Sequence, residues 1–128
     1  MTELPSAAGT GDPAVPTVEL LAELRRRGVV DVDDSTLARA LYSSDASLYR
    51  VVPQVVARPR HRDELLAVLD AARSTGVPLT MRGAGTSIAG NAVGRGIVVD
   101  TVRHLNRVLG LGEFVRQAVR KRPRPIGD

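Results

Sequence analysis

A chain of 128 residues, 43% of them apolar, is enough for one globular domain with a core that must be aliphatic, because only Tyr42, Tyr49 and Phe114 are aromatic. It has no cysteine, which excludes disulfides, thiolate metal sites and cysteine nucleophiles and suits a reducing cytoplasm. The net charge of +4 is concentrated at one end: residues 1–112 carry 13 basic and 12 acidic side chains, residues 113–128 carry 5 and 2, so the body has no extended basic face for nucleic acid.

Residues 1–16 mix Pro, Gly, Ser, Thr and Ala without periodicity and read as a flexible leader. They lack the basic start and apolar stretch of a secretory signal. No apolar run in the chain approaches the ~18 residues of a membrane span, so a cytoplasmic protein with no span is expected. Residues 17–50 read as an N-terminal helical segment. A helix is predicted from Val18 to Arg27, with Thr17 as cap, Leu20, Leu21 and Leu24 on one face, and Gly28 ending it. "DVDDSTLARALYS" predicts a turn at Asp33 to Ser35, then a short helix with Leu37, Ala40 and Leu41 inward. The "DVDD" alternation lacks the full calcium-loop pattern and is expected to cap the turn.

"VVPQVVARP" is β-branched and bounded by prolines, which predicts a strand at Val55 to Ala57. "HRDELLAVLDAARSTG" follows, with Leu65, Leu66, Leu69 and Ala72 at helical spacing, acidic residues in its first turn and Gly76 past its last. "VPLTM" and "GIVVD" are two further strands. Strand, helix and strand within about thirty residues make a βαβ unit with parallel strands.

Between the last two strands lies "RGAGTSIAGNAVGRG", and residues 79–100 hold five of the chain's twelve glycines. Glycine permits positive φ and close approach to the main chain, so the segment either turns tightly or wraps a ligand. Its place at the carboxyl end of a strand is where open α/β sheets gather ligands. A G-x-G-x-x-G fingerprint fails, because Ile88 stands at the third glycine position. A P-loop fails too, because Asn91 and Ala92 replace the lysine and hydroxyl residue. A non-helical nest of backbone amides around a pyrophosphate remains, with Thr86 and Ser87 as hydroxyl donors and Arg82 as a nearby cation. A glycine-rich surface connection is the alternative on composition alone.

Residues 41–109 resemble the start of the FAD-binding domain of FAD-linked oxidoreductases, the vanillyl-alcohol oxidase/p-cresol methylhydroxylase (PCMH-type) superfamily. Within it they are most similar to the glycolate oxidase subunit and D-lactate dehydrogenase branch. "RGAGTSIAGNA" resembles the family's pyrophosphate loop, and "VVPQVVARPRHRDELLAVLDAA" its strand, proline and helix. The resemblance implies an α+β (α/β-like) fold, a small βαβ sheet with flanking helices, with residues 51–109 forming a partial PCMH-type FAD-binding domain. It implies FAD as cofactor, with Arg82, Gly83, Ala84, Gly85, Thr86, Ser87, Gly90 and Asn91 as the binding positions. Members that tether flavin through this loop carry histidine where this chain has Thr86, so the FAD is expected to be non-covalent.

The resemblance ends near Leu109, and residues 110–128 read as a basic non-family tail, as a frameshift or premature stop generates. Family members continue for hundreds of residues with a substrate domain. The expectation is therefore the N-terminal part of a 2-hydroxy acid oxidoreductase, D-lactate or glycolate type, inactive alone, with no catalytic residue of its own. His61 and His104 are expected to be solvated or capping, since nothing in the sequence converges a carboxylate on either. Two alternatives stand beside this: a non-enzymatic module whose tail contacts nucleic acid, and a short subunit whose flavin site a second chain completes. Short strands with unpaired edges also predict a protein prone to associate.

Overall fold

The computed structural model describes residues 13–108 together with Gly110 and Gly112. Most of the expected leader, and all but those glycines of the basic tail, lie outside the described residues. Seven elements follow in order: α1 (Thr17–Arg26), β1 (Val32–Asp33), α2 (Thr36–Leu41), β2 (Val55–Ala57), α3 (Arg62–Thr75), β3 (Leu79–Arg82) and β4 (Ile97–Asp100).

Helix α1 follows the sequence pattern closely, with Leu20, Leu21 and Leu24 buried. Its cap is Pro16 rather than Thr17; the Pro16 carbonyl accepts from the Leu20 amide at 3.0 Å. The other end closes as a Schellman motif. The Val29 amide bonds the Leu24 carbonyl and the Gly28 amide bonds the Arg25 carbonyl, both at 3.0 Å, with Gly28 at φ +90°. Val29 and Leu24 then enter the same apolar cluster.

The sheet has four strands in the order β1-β2-β4-β3, not the three expected. Strand β1 lies within the segment read as helical and turn-forming, and pairs antiparallel with β2. Two residues are too few for a periodicity to announce them. Asp33, expected in a turn, ends the strand and accepts from the Ser35 amide at 2.9 Å. Ser35 in turn caps α2, accepting from the Ala38 amide at 3.2 Å.

Strands β2 and β3 are each parallel to β4, which lies between them. The βαβ crossover of β2, α3 and β3 therefore skips a position, and the chain returns through residues 83–96 to fill it with β4. Composition explains the ranking. Ile97, Val98 and Val99 are fully buried in the centre, whereas Leu79, Thr80, Met81 and Arg82 of edge strand β3 are half-buried or exposed.

Alternation along the strands separates two faces. Val55, Ala57, Ile97 and Val99 join Leu20, Leu24, Val68 and Ala71 in one cluster beneath α1 and α3. Val56, Val98, Thr80, Arg82 and Asp100 belong to the other face. Two expected helix faces differ from this arrangement. On α2, Leu37 and Leu41 are 70% and 61% exposed and Ala40 is exposed, while Ala38 is buried. The reason is tertiary: Arg39 donates to the Pro53 carbonyl at 2.8 Å and Tyr42 reaches Asp100, which turns the small Ala38 toward the sheet. On α3 the buried residues are Glu64, Val68 and Ala71, flanked by partly buried Leu65 and Ala72, whereas Leu66 and Leu69 are exposed. Burial of Glu64 displaces the expected stripe, because Arg60 supplies its carboxylate with bonds from Nε, Nη2 and the backbone at 2.7–2.9 Å.

Candidate flavin-binding loop

The glycine loop leaves β3 at Gly83 and reaches β4 at Ile97, so it starts at the carboxyl end of the parallel strands and finishes at their amino end. Four of its five glycines are required by the protein itself: a Cβ at Gly94 would lie 2.0 Å from Thr80 Oγ1 and one at Gly96 2.0 Å from the Pro78 carbonyl, and Gly85 and Gly90 are constrained in conformation as well. Gly85 has φ +70°, and a Cβ there would lie 2.5 Å from Nη2 of Arg82; Gly90 has φ +78°, and a Cβ there would lie 2.6 Å from the ring of Tyr49. Gly83 differs: its φ is not positive, and a Cβ there would meet nothing within 4 Å. Nothing in the described residues requires glycine at that position.

The main-chain amides also differ along the loop. Those of Ala89 and Asn91 donate to Ser87 Oγ at 3.3 and 3.1 Å, and that of Ala92 donates to Asp45 Oδ2 at 3.2 Å. The amides of Gly83, Ala84, Gly85, Thr86, Ser87, Ile88 and Gly90 have no hydrogen-bond partner among the described residues. The first half of the loop thus presents a row of unengaged donors; Ala89, Asn91 and Ala92 are tied down, and the amides of residues 93–96, leading into β4, again have no partner among the described residues. Unengaged N–H groups along a glycine-rich turn suit the oxygens of a pyrophosphate, so the chain present fits the group that the sequence resemblance implies.

Arg82, Gly83, Ala84, Gly85, Thr86, Ser87, Gly90 and Asn91 are all brought to this one loop. Their roles differ. Arg82 Nη1 donates to the Ser44 carbonyl at 2.8 Å and the Ala92 carbonyl at 3.2 Å, and its guanidinium lies 5.0 Å from the centroid of the Tyr42 ring. Ser87 Oγ organises the following turn.

Sequence reasoning missed the platform beneath the loop. Residues 42–49 supply Tyr42, Ser44, Asp45 and Tyr49, all of which touch the loop or its anchor Arg82. The Ser47 hydroxyl, outweighing burial, and then the amides of Ser47 and Ala92 hold the Asp45 carboxyl below its ordinary value, so it is an anion at neutral pH. An Asp-x-Ser turn was the available signal: Asp45 accepts from the Ser47 amide at 2.9 Å.

Next to the platform lies a chain of charged groups at the carboxyl ends of β2 and β4. Tyr42 donates to Asp100, whose other oxygen accepts from the Val102 and Arg103 amides at 2.7 and 3.4 Å. Arg58 donates to Tyr42 at 3.5 Å and to Asp31 at 3.0 Å. Asp31 also lies 3.1 Å from Nε2 of His104. A carboxylate therefore does converge on His104, against the expectation from sequence, through a contact spanning 73 residues. Burial opposes ionisation of Asp31, but His104 and Arg58 outweigh it and hold the carboxyl below its usual range. His61 caps α3 as expected, accepting from the Glu64 amide at 3.4 Å, but a carboxylate approaches it as well, with Glu64 Oε1 3.8 Å from its Nε2. "DVDD" likewise caps a turn and pairs with Arg58. A cleft of about 670 Å³ lined by Arg39, Arg50, Gln54 and Arg95 lies at the amino ends of the strands, away from Gly83–Ser87. The unengaged amides of residues 83–88 lie outside this cleft and make up the candidate site.

Residues 53–119 match the FAD binding domain family, and the chain belongs to it. The match crosses Leu109, where the resemblance read from the sequence stopped. Among curated relatives, D-2-hydroxyglutarate dehydrogenase of Escherichia coli (strain K12) is 33% identical over 96 residues, which is 72% of this chain and 9% of that protein. The glycolate oxidase subunit GlcD of Bacillus subtilis (strain 168) is 34% identical over 88 residues, 67% of this chain and 19% of that protein. Among solved structures, alkyldihydroxyacetonephosphate synthase superposes with a TM-score of 0.63 at 22% identity, covering 89% of this chain and 25% of its own. A berberine bridge enzyme variant superposes with a TM-score of 0.58 at 24% identity, covering 71% and 21%. These structures share the fold of a PCMH-type FAD-binding domain, and FAD is the cofactor of the family. This chain spans between about a tenth and a quarter of the proteins it matches. Among the described residues, no helix is long and apolar enough to cross a membrane.

Proposed function

We propose that the chain provides the pyrophosphate-binding loop of a flavin site in an oxidoreductase that acts on a 2-hydroxy acid, and that it holds FAD without a covalent bond. The amides of Gly83 to Ser87 face the phosphates in this reading, with Gly90 and Asn91 at the loop's far end and Arg82 beneath it. The observation that carries it is the row of unengaged amides, together with a glycine at position 83 that neither backbone conformation nor packing demands. A ligand lying against the main chain accounts for both.

The substrate class follows from the names of the D-2-hydroxyglutarate dehydrogenase and glycolate oxidase relatives. Bound FAD supplies the acceptor for two electrons in such an oxidation. The residues of this chain bind and orient it; no residue here is assigned to proton transfer from the substrate. Thr86 has no ring nitrogen with which to bond the flavin.

A second chain completing the site is supported by the apolar residues left exposed on α2, the platform and the loop, Leu37, Leu41, Leu48 and Ile88. The cysteine-free composition supports a cytoplasmic setting.

The test is a titration of the chain with FAD, followed by amide resonances and by quenching of flavin fluorescence. Shifts centred on the amides of residues 83–87 are expected. Shifts centred elsewhere, or none up to millimolar FAD, reject the assignment of this loop.

A further inference from the structure

We propose that Arg82 and Asp45 are positioning residues which clamp the start of the glycine loop to Ala92 and so shape the amides between them for a pyrophosphate. The proposal rests on the flavin reading above and adds roles to residues that the reading leaves open.

Both groups converge on Ala92. The Arg82 guanidinium donates to its carbonyl and the Asp45 carboxylate accepts from its amide, each at 3.2 Å. Arg82 is the last residue of β3 and Ala92 lies ten positions on, so one side chain spans the start and finish of the ligand-facing segment. The same Nη1 also reaches the Ser44 carbonyl at 2.8 Å, one residue before Asp45, which locks the clamp to the platform. The turn at Gly85 packs directly against this guanidinium, and Gly90 against Tyr49. Between these two fixed points lie Thr86, Ser87 and Ile88, whose amides are unengaged among the described residues.

The geometry assigns Arg82 an indirect role. Its Nη1 is occupied by two carbonyls and its plane lies near the Tyr42 ring, so this end of the guanidinium holds the backbone. The platform residues 42–49 precede residue 53, where the family match begins. The shape of the loop thus depends on chain outside the matched domain.

The experiment compares the full chain with Arg82→Lys, Arg82→Met, Asp45→Ala and Asp45→Asn. FAD affinity is measured at two ionic strengths, and hydrogen exchange is followed at the Ala92 amide. A clamp predicts that Lys and Met at position 82 weaken FAD by a similar factor, roughly ten- to a hundredfold, because lysine carries the charge but not the fork. It also predicts an unchanged salt dependence. Asp45→Ala should speed exchange at Ala92, and Asp45→Asn, which keeps an acceptor oxygen, should restore most of the protection and the affinity. Near-native affinity in Arg82→Lys with a shallower salt dependence in Arg82→Met overturns the proposal in favour of direct phosphate contact. If the unaltered chain binds no FAD, the flavin reading fails. The clamp is then decided by exchange alone: unchanged protection at Ala92 in Arg82→Met and Asp45→Ala rejects it.

Discussion

The phenol of Tyr42 donates its hydrogen bond to the buried carboxylate of Asp100 across 58 residues of sequence, and this pair holds the end of α2 against the far face of the sheet. Phe at position 42 would keep the ring beneath Arg82 and remove that donor. The expected loss is about 1–2 kcal/mol, since a buried carboxylate then loses one of its bonds. Thermal melts at neutral pH check it.

The same pair sets an alkaline limit. Burial, then the bond to Asp100, raises the Tyr42 pKa above its ordinary value of 10.0, with Arg58 opposing. A raised pKa contributes stability that is complete below the unfolded value and disappears as pH climbs through the folded one. Melting temperature should therefore fall above about pH 10 in the native chain, and Tyr42→Phe should lack this component of the fall. Parallel melts between pH 8 and 11 decide the matter.

At Glu64 the sign is reversed. Burial pushes its pKa up, but the bonds from Arg60 outweigh it and leave the carboxyl below 4.5. Its contribution is present above the unfolded pKa and is lost as pH drops through the lower folded value. Glu64→Gln should cost about 1–2 kcal/mol at neutral pH, the low end for a buried charged bond because Arg60 is half-exposed. The variant should also be less sensitive to acid between roughly pH 5 and 3. Denaturant midpoints across that range supply the measurement.

Two glycines separate shape from binding. Gly83→Ala should leave the melting temperature unchanged, as the added methyl meets nothing within 4 Å, yet weaken FAD at least tenfold by keeping the ligand off the main chain. Gly85→Ala should destabilise the loop by about 1–2 kcal/mol through its positive φ, and should displace Arg82 as well. If Gly83→Ala binds FAD as tightly as the native chain, the ligand does not lie where the unengaged amides point.

Thr86 offers a chemical check. Any flavin carried by the chain should be released entirely into the supernatant on acid precipitation, because threonine forms no bond to the isoalloxazine ring. Flavin retained in the washed pellet contradicts non-covalent binding.

Helix α1, helix α3, the three parallel strands and the glycine loop were all legible in the residue order. Their signals are local: leucines at helical spacing, a β-branched run between prolines, a cap residue, a break in apolar character. The loop could also be matched to a pyrophosphate-binding pattern, because that pattern depends on consecutive small residues. What stayed hidden was which elements meet. Nothing local distinguishes β4 beside β2 from β4 at an edge, makes Ala38 rather than Leu37 face inward, or brings Asp31 to His104. Nor does periodicity show that Asp45 and Arg82 grip the same residue from opposite sides. The contacts behind them join positions 38 to 73 apart, and they arise only when the buried faces of several elements satisfy one another at once.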